Sequence, residues 1–255
     1  DASTQSVYHF SDTDKNISLL DISETFGTYD GSFVLYDNNL DSWKIYDLEE
    51  ATKRIPPEST YKIYDALLGL ESGIITPEHS SMTWNGDAFP FPSWEADQDL
   101  NSAMQNSVNW YFQAIDSQLG INRVQEFLNK IEYGNQTTSS NLDLYWSDFS
   151  LKISPLEQVT LLKKFNTNEF HLNFQNVFSV KNAIKIASTP NGNFYGKTGT
   201  GRVNGQDING WFIGYVETSD NSYYFATNIQ SDSNATGKKA FEITSDILKK
   251  LHIWN

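Results

Sequence analysis

Between residues 194 and 229 the chain carries three aromatic and β-branched runs, at 194–201, 210–218 and 223–229, divided by Gly, Asn and Asp turns. Runs of this composition and spacing form an antiparallel meander. The run at 31–37 reads as another strand, and the turn at Asn38-Asn39 leads to a hairpin partner at 43–47. Pro56-Pro57 ends that extension. Between the two strand-rich ends the apolar spacing changes to a helical period. Ile63, Ala66, Leu67 and Leu70 share one face of a helix that starts near Ser59 and ends at Gly73. Residues 100–115, 123–131 and 155–165 read as helices, the last with Pro155 in its first turn. An amphipathic helix at 238–250 closes the chain, whereas the first ~20 residues are polar and irregular.

The expected fold class is therefore α+β. An antiparallel sheet of N- and C-terminal strands is flanked by helices, with a mainly helical lobe beside it. One domain is expected over residues 1–255, with a sheet lobe at about 25–60 and 190–255 and a helical lobe at about 61–189. A cleft between lobes is a natural ligand site.

The net charge of −14, with no basic run to interrupt it, argues against nucleic acid and anionic lipid as partners. The absence of cysteine excludes disulfides and thiolate metal sites. His9, His79, His171 and His252 show no metal-ligand spacing, so neither a metal site nor a histidine-based triad is expected. No run of about 18 apolar residues is present to span a membrane. The chain begins at Asp1 without a visible signal peptide, and reads as a processed protein or an excised piece.

The base must then be something other than histidine. In Ser59-Thr60-Tyr61-Lys62 a serine and a lysine stand at i, i+3, on one face of a helix start. A serine hydroxyl needs a base, and lysine serves only when burial or a nearby cation keeps it neutral. Alone, this spacing is weak. It is joined by Lys197-Thr198-Gly199-Thr200-Gly201 on an expected strand. There Lys197 and Thr198 offer a charge and a hydroxyl to a carboxylate, and Gly199 lets a ligand lie close to the backbone. The N–H groups of Ser59 and Thr200 suit an oxyanion. Between the two lies Ser107-Val108-Asn109, in an expected helix. An S-x-x-K, a middle serine motif and a K-T-G in this order belong to serine β-lactamases and penicillin-binding proteins.

The chain accordingly resembles the penicillin-binding superfamily, and within it the class D branch. Tyr133-Gly134-Asn135, Trp146, Leu151-Lys152-Ile153-Ser154 and Gly210-Trp211-Phe212-Ile213-Gly214 extend the likeness over roughly 32–248. The resemblance implies the serine β-lactamase/penicillin-binding (transpeptidase-like) fold. Two groups share these features: class D β-lactamases, and the extracellular sensor domain of BlaR/MecR-type β-lactam sensor-transducers. Tyr61, Met82-Thr83-Trp84-Asn85 and Asn106-Ser107-Val108-Asn109-Trp110 are more similar to the sensors.

What the resemblance implies is a β-lactam receptor acylated on Ser59, with Lys62 as base, carrying CO2 as a carbamate, and Ser107 as proton relay. It implies no metal in these residues, with membrane helices and a zinc protease in other parts of a parent protein on the cell surface. In the enzymes the position of Asn109 is normally apolar, so Asn109 is expected to favour loss of CO2 from Lys62 after acylation. The acyl group would then stay. Many class D enzymes hold the drug's carboxylate with a late arginine. Here the only arginines are Arg54, Arg123 and Arg202, which leaves Thr198, Thr200 or Lys238 for that duty. A class D β-lactamase and a small D,D-peptidase are the competing expectations.

Overall fold

A computed structural model describes residues 16–255. The N-terminal elements are β1 (Ile17–Leu19), α1 (Ser23–Phe26), β2 (Asp30–Asp37), β3 (Ser42–Tyr46) and α2 (Leu48–Thr52). The helices α3 (Lys62–Glu71), α4 (Leu100–Gln105), α5 (Asn109–Leu119), α6 (Ile121–Lys130), α7 (Pro155–Asn166) and α8 (Phe174–Ala183) follow. The chain ends with β4 (Lys185–Thr189), β5 (Gly192–Val203), β6 (Gln206–Glu217), β7 (Ser222–Gln230) and α9 (Gly237–Lys250).

The seven strands form one sheet in the order β1-β3-β2-β7-β6-β5-β4. The N-terminal hairpin joins the C-terminal meander where β2 pairs antiparallel with β7 along its whole length, Asp30 opposite Gln230 and Asp37 opposite Tyr223. Two sequence expectations need correction. The sheet is mixed, because β1 pairs parallel with β3. The chain reverses between β1 and β2 and again in the β2–β3 hairpin, so the first and third strands run the same way. The irregular start expected for the first ~20 residues lies mostly outside the described residues, and Ile17–Leu19 within it is a strand.

Alternation along the strands divides the interior into two cores. Val34, Tyr36, Trp211, Ile213, Tyr215 and Tyr224 face the larger one, shared with α3, α5 and α7. Phe33, Leu35, Phe212, Val216 and Phe225 face the smaller one, covered by α1 and α9. With both faces buried, the central strands read as near-continuous apolar runs.

The helix expected at 100–115 is two helices. α4 begins with a reciprocal capping box between Asp99 and Ser102. It ends where Val108 N–H donates to Ala103 O at 2.9 Å and Ser107 N–H to Met104 O at 3.2 Å. Those two bonds make a Schellman stop, with Ser107 in the left-handed position at φ 53°. Glycine usually marks that position, and a serine there gives no warning in the sequence.

Gly214 on β6 lies opposite Gly196 on β5, and a Cβ at Gly214 would collide with the carbonyl oxygen of Tyr195. Gly214→Ala is expected to lower stability by about 2–3 kcal/mol. In the β5–β6 turn, Gly205 has open space around it at φ 75°, so Gly205→Ala is expected to cost only about 1 kcal/mol. Urea melts of the two variants measure the difference.

Candidate active site

Ser59 sits in a 3-10 turn, Glu58–Tyr61, that runs directly into α3. The chain entering it is tied to β6: Pro56 O accepts from Trp211 Nε1 at 2.8 Å and from Asn209 Nδ2 at 3.0 Å. Glu58 N–H donates to Trp146 O at 3.0 Å. Thr60 Oγ1 donates to Pro57 O at 2.6 Å and accepts from Gln158 Nε2 at 2.9 Å. Behind the turn, the Tyr61 ring packs on Tyr133, Tyr145 and Trp146, with centroids 5.3, 5.3 and 6.1 Å away. These contacts hold Glu58 at φ 52°, a left-handed backbone that costs a non-glycine residue about 1–2 kcal/mol.

Lys62 shares the Ser59 face and is fully buried. Its Nζ lies 2.9 Å from Ser59 Oγ, 2.9 Å from Ser107 Oγ, 3.0 Å from Ser107 O and 2.5 Å from Asn109 Oδ1. Burial, and next the charge of Lys197, push its pKa well below the ordinary lysine value, against a pull from Asp65 and Glu58. An uncharged amine suits these partners. It donates to the Ser107 and Asn109 carbonyl oxygens and offers its lone pair to a hydroxyl proton.

Lys197 Nζ donates to Ser107 Oγ at 3.1 Å and to Thr198 O at 2.9 Å. Burial lowers its pKa to about 7. The Ser107 hydroxyl thus stands between two lysine nitrogens, and a continuous polar chain runs Ser59–Lys62–Ser107–Lys197. The left-handed stop of α4 makes this possible by turning both the carbonyl and the hydroxyl of Ser107 toward Lys62.

The second wall is the outer edge of β5. Gly196 N–H donates to Ile184 O at 2.9 Å, on the side away from β6. Alternation of the ladder puts the N–H groups of Thr198 and Thr200 on that same edge. A Cβ at Gly199 would sit 3.2 Å from Ser59 N, so this strand lies directly against the nucleophile's amide. Thr200 Oγ1 accepts from Gly237 N–H at 2.9 Å, which ties the edge to the start of α9.

A cavity of about 300 Å³ opens here. Ser59, Ser107, Asn109, Thr198, Gly199 and Thr200 line it, as the sequence motifs lead one to expect. Lys62 and Lys197 lie beneath, reached through Ser107. Phe91, Ser93 and Trp94 also line it and were not anticipated. Phe89, Phe91 and Trp94 pack together, and Trp94 Nε1 donates to Asn106 O at 3.0 Å beside the Ser107 motif. The aromatic-proline crowding of Phe89-Pro90-Phe91-Pro92-Ser93-Trp94 was the available signal.

No arginine lines this cavity. Arg54 makes a two-pronged pair with Glu157, and Arg202 pairs with Asp207 at 3.1 Å. Lys238 is exposed in the first turn of α9 and is also absent from the lining. His9 lies outside the described residues, and among those described no cluster of His, Asp and Glu is arranged to hold a metal ion. Chemically, the site offers a serine hydroxyl beside an amine whose charged form burial disfavours, a relay hydroxyl, and two backbone donors on an open edge.

A model of the penicillin-binding protein transpeptidase domain matches residues 30–249. The chain belongs to this family. It is 46% identical over 241 residues to the regulatory protein BlaR1 of Bacillus licheniformis, covering 94% of this chain and 40% of that protein. The chain thus spans about 40% of the length of that curated relative. It is 37% identical over 235 residues to the probable β-lactamase YbxI of Bacillus subtilis, covering 92% of this chain and 86% of that protein. The solved C-terminal domain of the B. licheniformis BlaR penicillin-receptor superposes with a TM-score of 0.91 at 46% identity, covering 94% of this chain and 98% of that one.

The buried lysines set a pH dependence of stability. A lysine whose folded pKa is lowered is uncharged in the fold but protonated in the unfolded chain between the two pKa values. The unfolded state then binds more protons, so stability rises with pH across that window. For Lys197 the window runs from about 7 to the ordinary lysine value of 10.5. Glu58, raised to about 8, acts oppositely at lower pH, and the buried tyrosines act oppositely at higher pH. The Lys197→Met variant is therefore expected to show a shallower rise than the native protein between about pH 8 and 9.5. Urea midpoints across that range test this.

Proposed function

We propose that this chain is the β-lactam-receiving domain of a sensor-transducer, acylated on Ser59 and slow to release the acyl group. The observation that carries the reading is the contact of Asn109 Oδ1 with Lys62 Nζ inside a family whose members include both receptors and β-lactamases. Ser59 Oγ attacks the lactam carbonyl as its proton passes to Lys62 Nζ. The N–H groups of Ser59 and Thr200 meet the developing oxyanion. The carbon–nitrogen bond of the ring then breaks, and the ring nitrogen takes a proton delivered from Lys62 through the Ser107 hydroxyl. The product is an ester on Ser59 with the opened drug attached. Lys197 and Thr198 orient the drug's anionic end, since neither an arginine nor Lys238 lines the cavity.

Carboxylation of Lys62 is part of the proposal. An amine kept uncharged by burial is the form that combines with CO2, so the lysine itself fits. Its surroundings fit less well. The hydroxyls of Ser59 and Ser107 can donate to a carbamate, whereas Ser107 O and Asn109 Oδ1 present acceptors to the same point. When bound, CO2 supplies an anionic base. Asn109 accepts a hydrogen bond from the free amine and so weakens its hold on CO2, and without CO2 the site lacks the anionic base that would activate water for deacylation.

The parent protein is proposed to carry this domain on the extracellular face of the bacterial membrane, with membrane-spanning and zinc protease portions elsewhere. No helix among the described residues is long and apolar enough to cross a membrane. The long-lived acyl-serine would be the signal for induction of antibiotic resistance. A class D β-lactamase is the second reading, favoured by the likeness to the YbxI protein.

A chromogenic cephalosporin separates the two. One equivalent of product per protein, followed by little more, is expected. Continued rapid hydrolysis would overturn the receptor reading. Asn109→Val is expected to raise turnover at least about tenfold and to strengthen the carbamate signal in carbon-13 NMR with labelled bicarbonate.

A further inference from the structure

Glu58 immediately precedes the nucleophile and is buried, yet its carboxyl makes one long hydrogen bond, from Asn209 Nδ2 to Oε1 at 3.4 Å. It lines a second cavity of about 150 Å³ on the far side of Gly201. Ile55, Phe149, Val203 and Ile208 contribute apolar walls. A Cβ at Gly201 would collide with Glu58 Oε1, so this glycine leaves room for the carboxyl at the strand. Arg202 reaches the same cavity, but it is 66% exposed and its guanidinium is taken by Asp207 at 3.1 Å.

The direction of β5 relates the two cavities. The drug's anionic end is placed at Lys197 and Thr198, and its reacting carbonyl at Ser59 and Thr200. The acylamino substituent lies on the other side of that carbonyl, so it continues toward Gly201 and Arg202. From Thr198 to Gly201 the strand advances roughly 10 Å, the scale of a bicyclic β-lactam nucleus.

We infer that the cavity behind Gly201, with the Glu58 carboxyl in its wall, is a subsite for an acyl side chain ending in an ammonium group. The inference rests on the β-lactam receptor reading. The apolar walls take the methylene stem, and Glu58 takes the charged tip in a charge-assisted hydrogen bond. Burial holds Glu58 up at about 8, so near neutrality it is mostly protonated by itself, and an arriving ammonium favours its ionised form. The charge acting on it is that of Lys62 from α3, and Arg202 from β5, itself paired with Asp207 of β6, lines the same cavity.

The test compares two penicillins of equal side-chain length, one hexanoyl and one ω-aminopentanoyl, by the rate at which each acylates Ser59, followed by mass spectrometry. Taking the ratio cancels the titration of Lys62 and Lys197, which both drugs share. In the native protein the amino compound is expected to acylate at least about tenfold faster at about pH 8.5, with the advantage shrinking toward about pH 6.5. In Glu58→Gln the ratio is expected to fall to about one. A ratio near one in the native protein, or an undiminished ratio in Glu58→Gln, overturns the subsite and leaves the receptor reading standing. Failure of both drugs to acylate overturns both. The native comparison needs no variant to fold.

Discussion

The site depends on keeping one amine uncharged inside the protein. Lys62 has no solvent contact, and Lys197, the other buried lysine among the described residues, reaches the same Ser107 hydroxyl. Burial disfavours protonation of both, and the charge of Lys197 further disfavours that of Lys62. A buried lysine would ordinarily recover its charge by pairing with a carboxylate. Two carboxyls are near, and burial pushes both toward their neutral forms, which weakens the pull they exert on Lys62. Asp65, one turn along α3, is pushed well up by burial and by Asp116 beside it. Glu58 is raised to about 8, mainly by burial. With the pull of its counter-ions weakened, Lys62 is left as a base, with the Ser59 and Ser107 hydroxyls both 2.9 Å from its nitrogen.

That arrangement is built at the expense of local backbone comfort. Glu58 and Ser107, the residues that aim the nucleophile and the relay, both have left-handed backbones without being glycine. Each is held by bonds that converge from separate elements. Trp211 and Asn209 on β6 hold the entry to the nucleophile turn, and Trp146 holds its first amide. The Schellman bonds of α4 hold Ser107. The cluster of Tyr61, Tyr133, Tyr145 and Trp146 fills the space behind, so the turn has no room to relax. Strain kept at a functional site by a rigid surround is a recurring device.

Much of this was legible in the sequence because the chemistry lies in short contiguous motifs. Ser59 with Lys62, and Lys197 to Thr200, each occupy one turn or one strand edge, so their residue types and spacing fix which side chains meet. The central strands and most of the helices followed from period and turn residues. What escaped depended on contacts across the chain. The stop between α4 and α5 uses serine where glycine is usual, and no periodicity reveals it. β1 is three residues long and is defined by its partner β3. Phe91 and Trp94 reach the cavity through a loop whose path local sequence does not dictate. Glu58 reads as an ordinary charged residue until β5 and β6 are seen to bury it.

The most direct test is the charge on Lys62 itself. Nitrogen-15 and carbon-13 NMR of the labelled lysine side chain, titrated in CO2-free buffer, reports whether Nζ is an amine or an ammonium. The expected result is an uncharged amine at neutral pH, with protonation only on acidification. An ammonium that persists up to the pH range of an ordinary exposed lysine, about 10.4, would contradict the central claim.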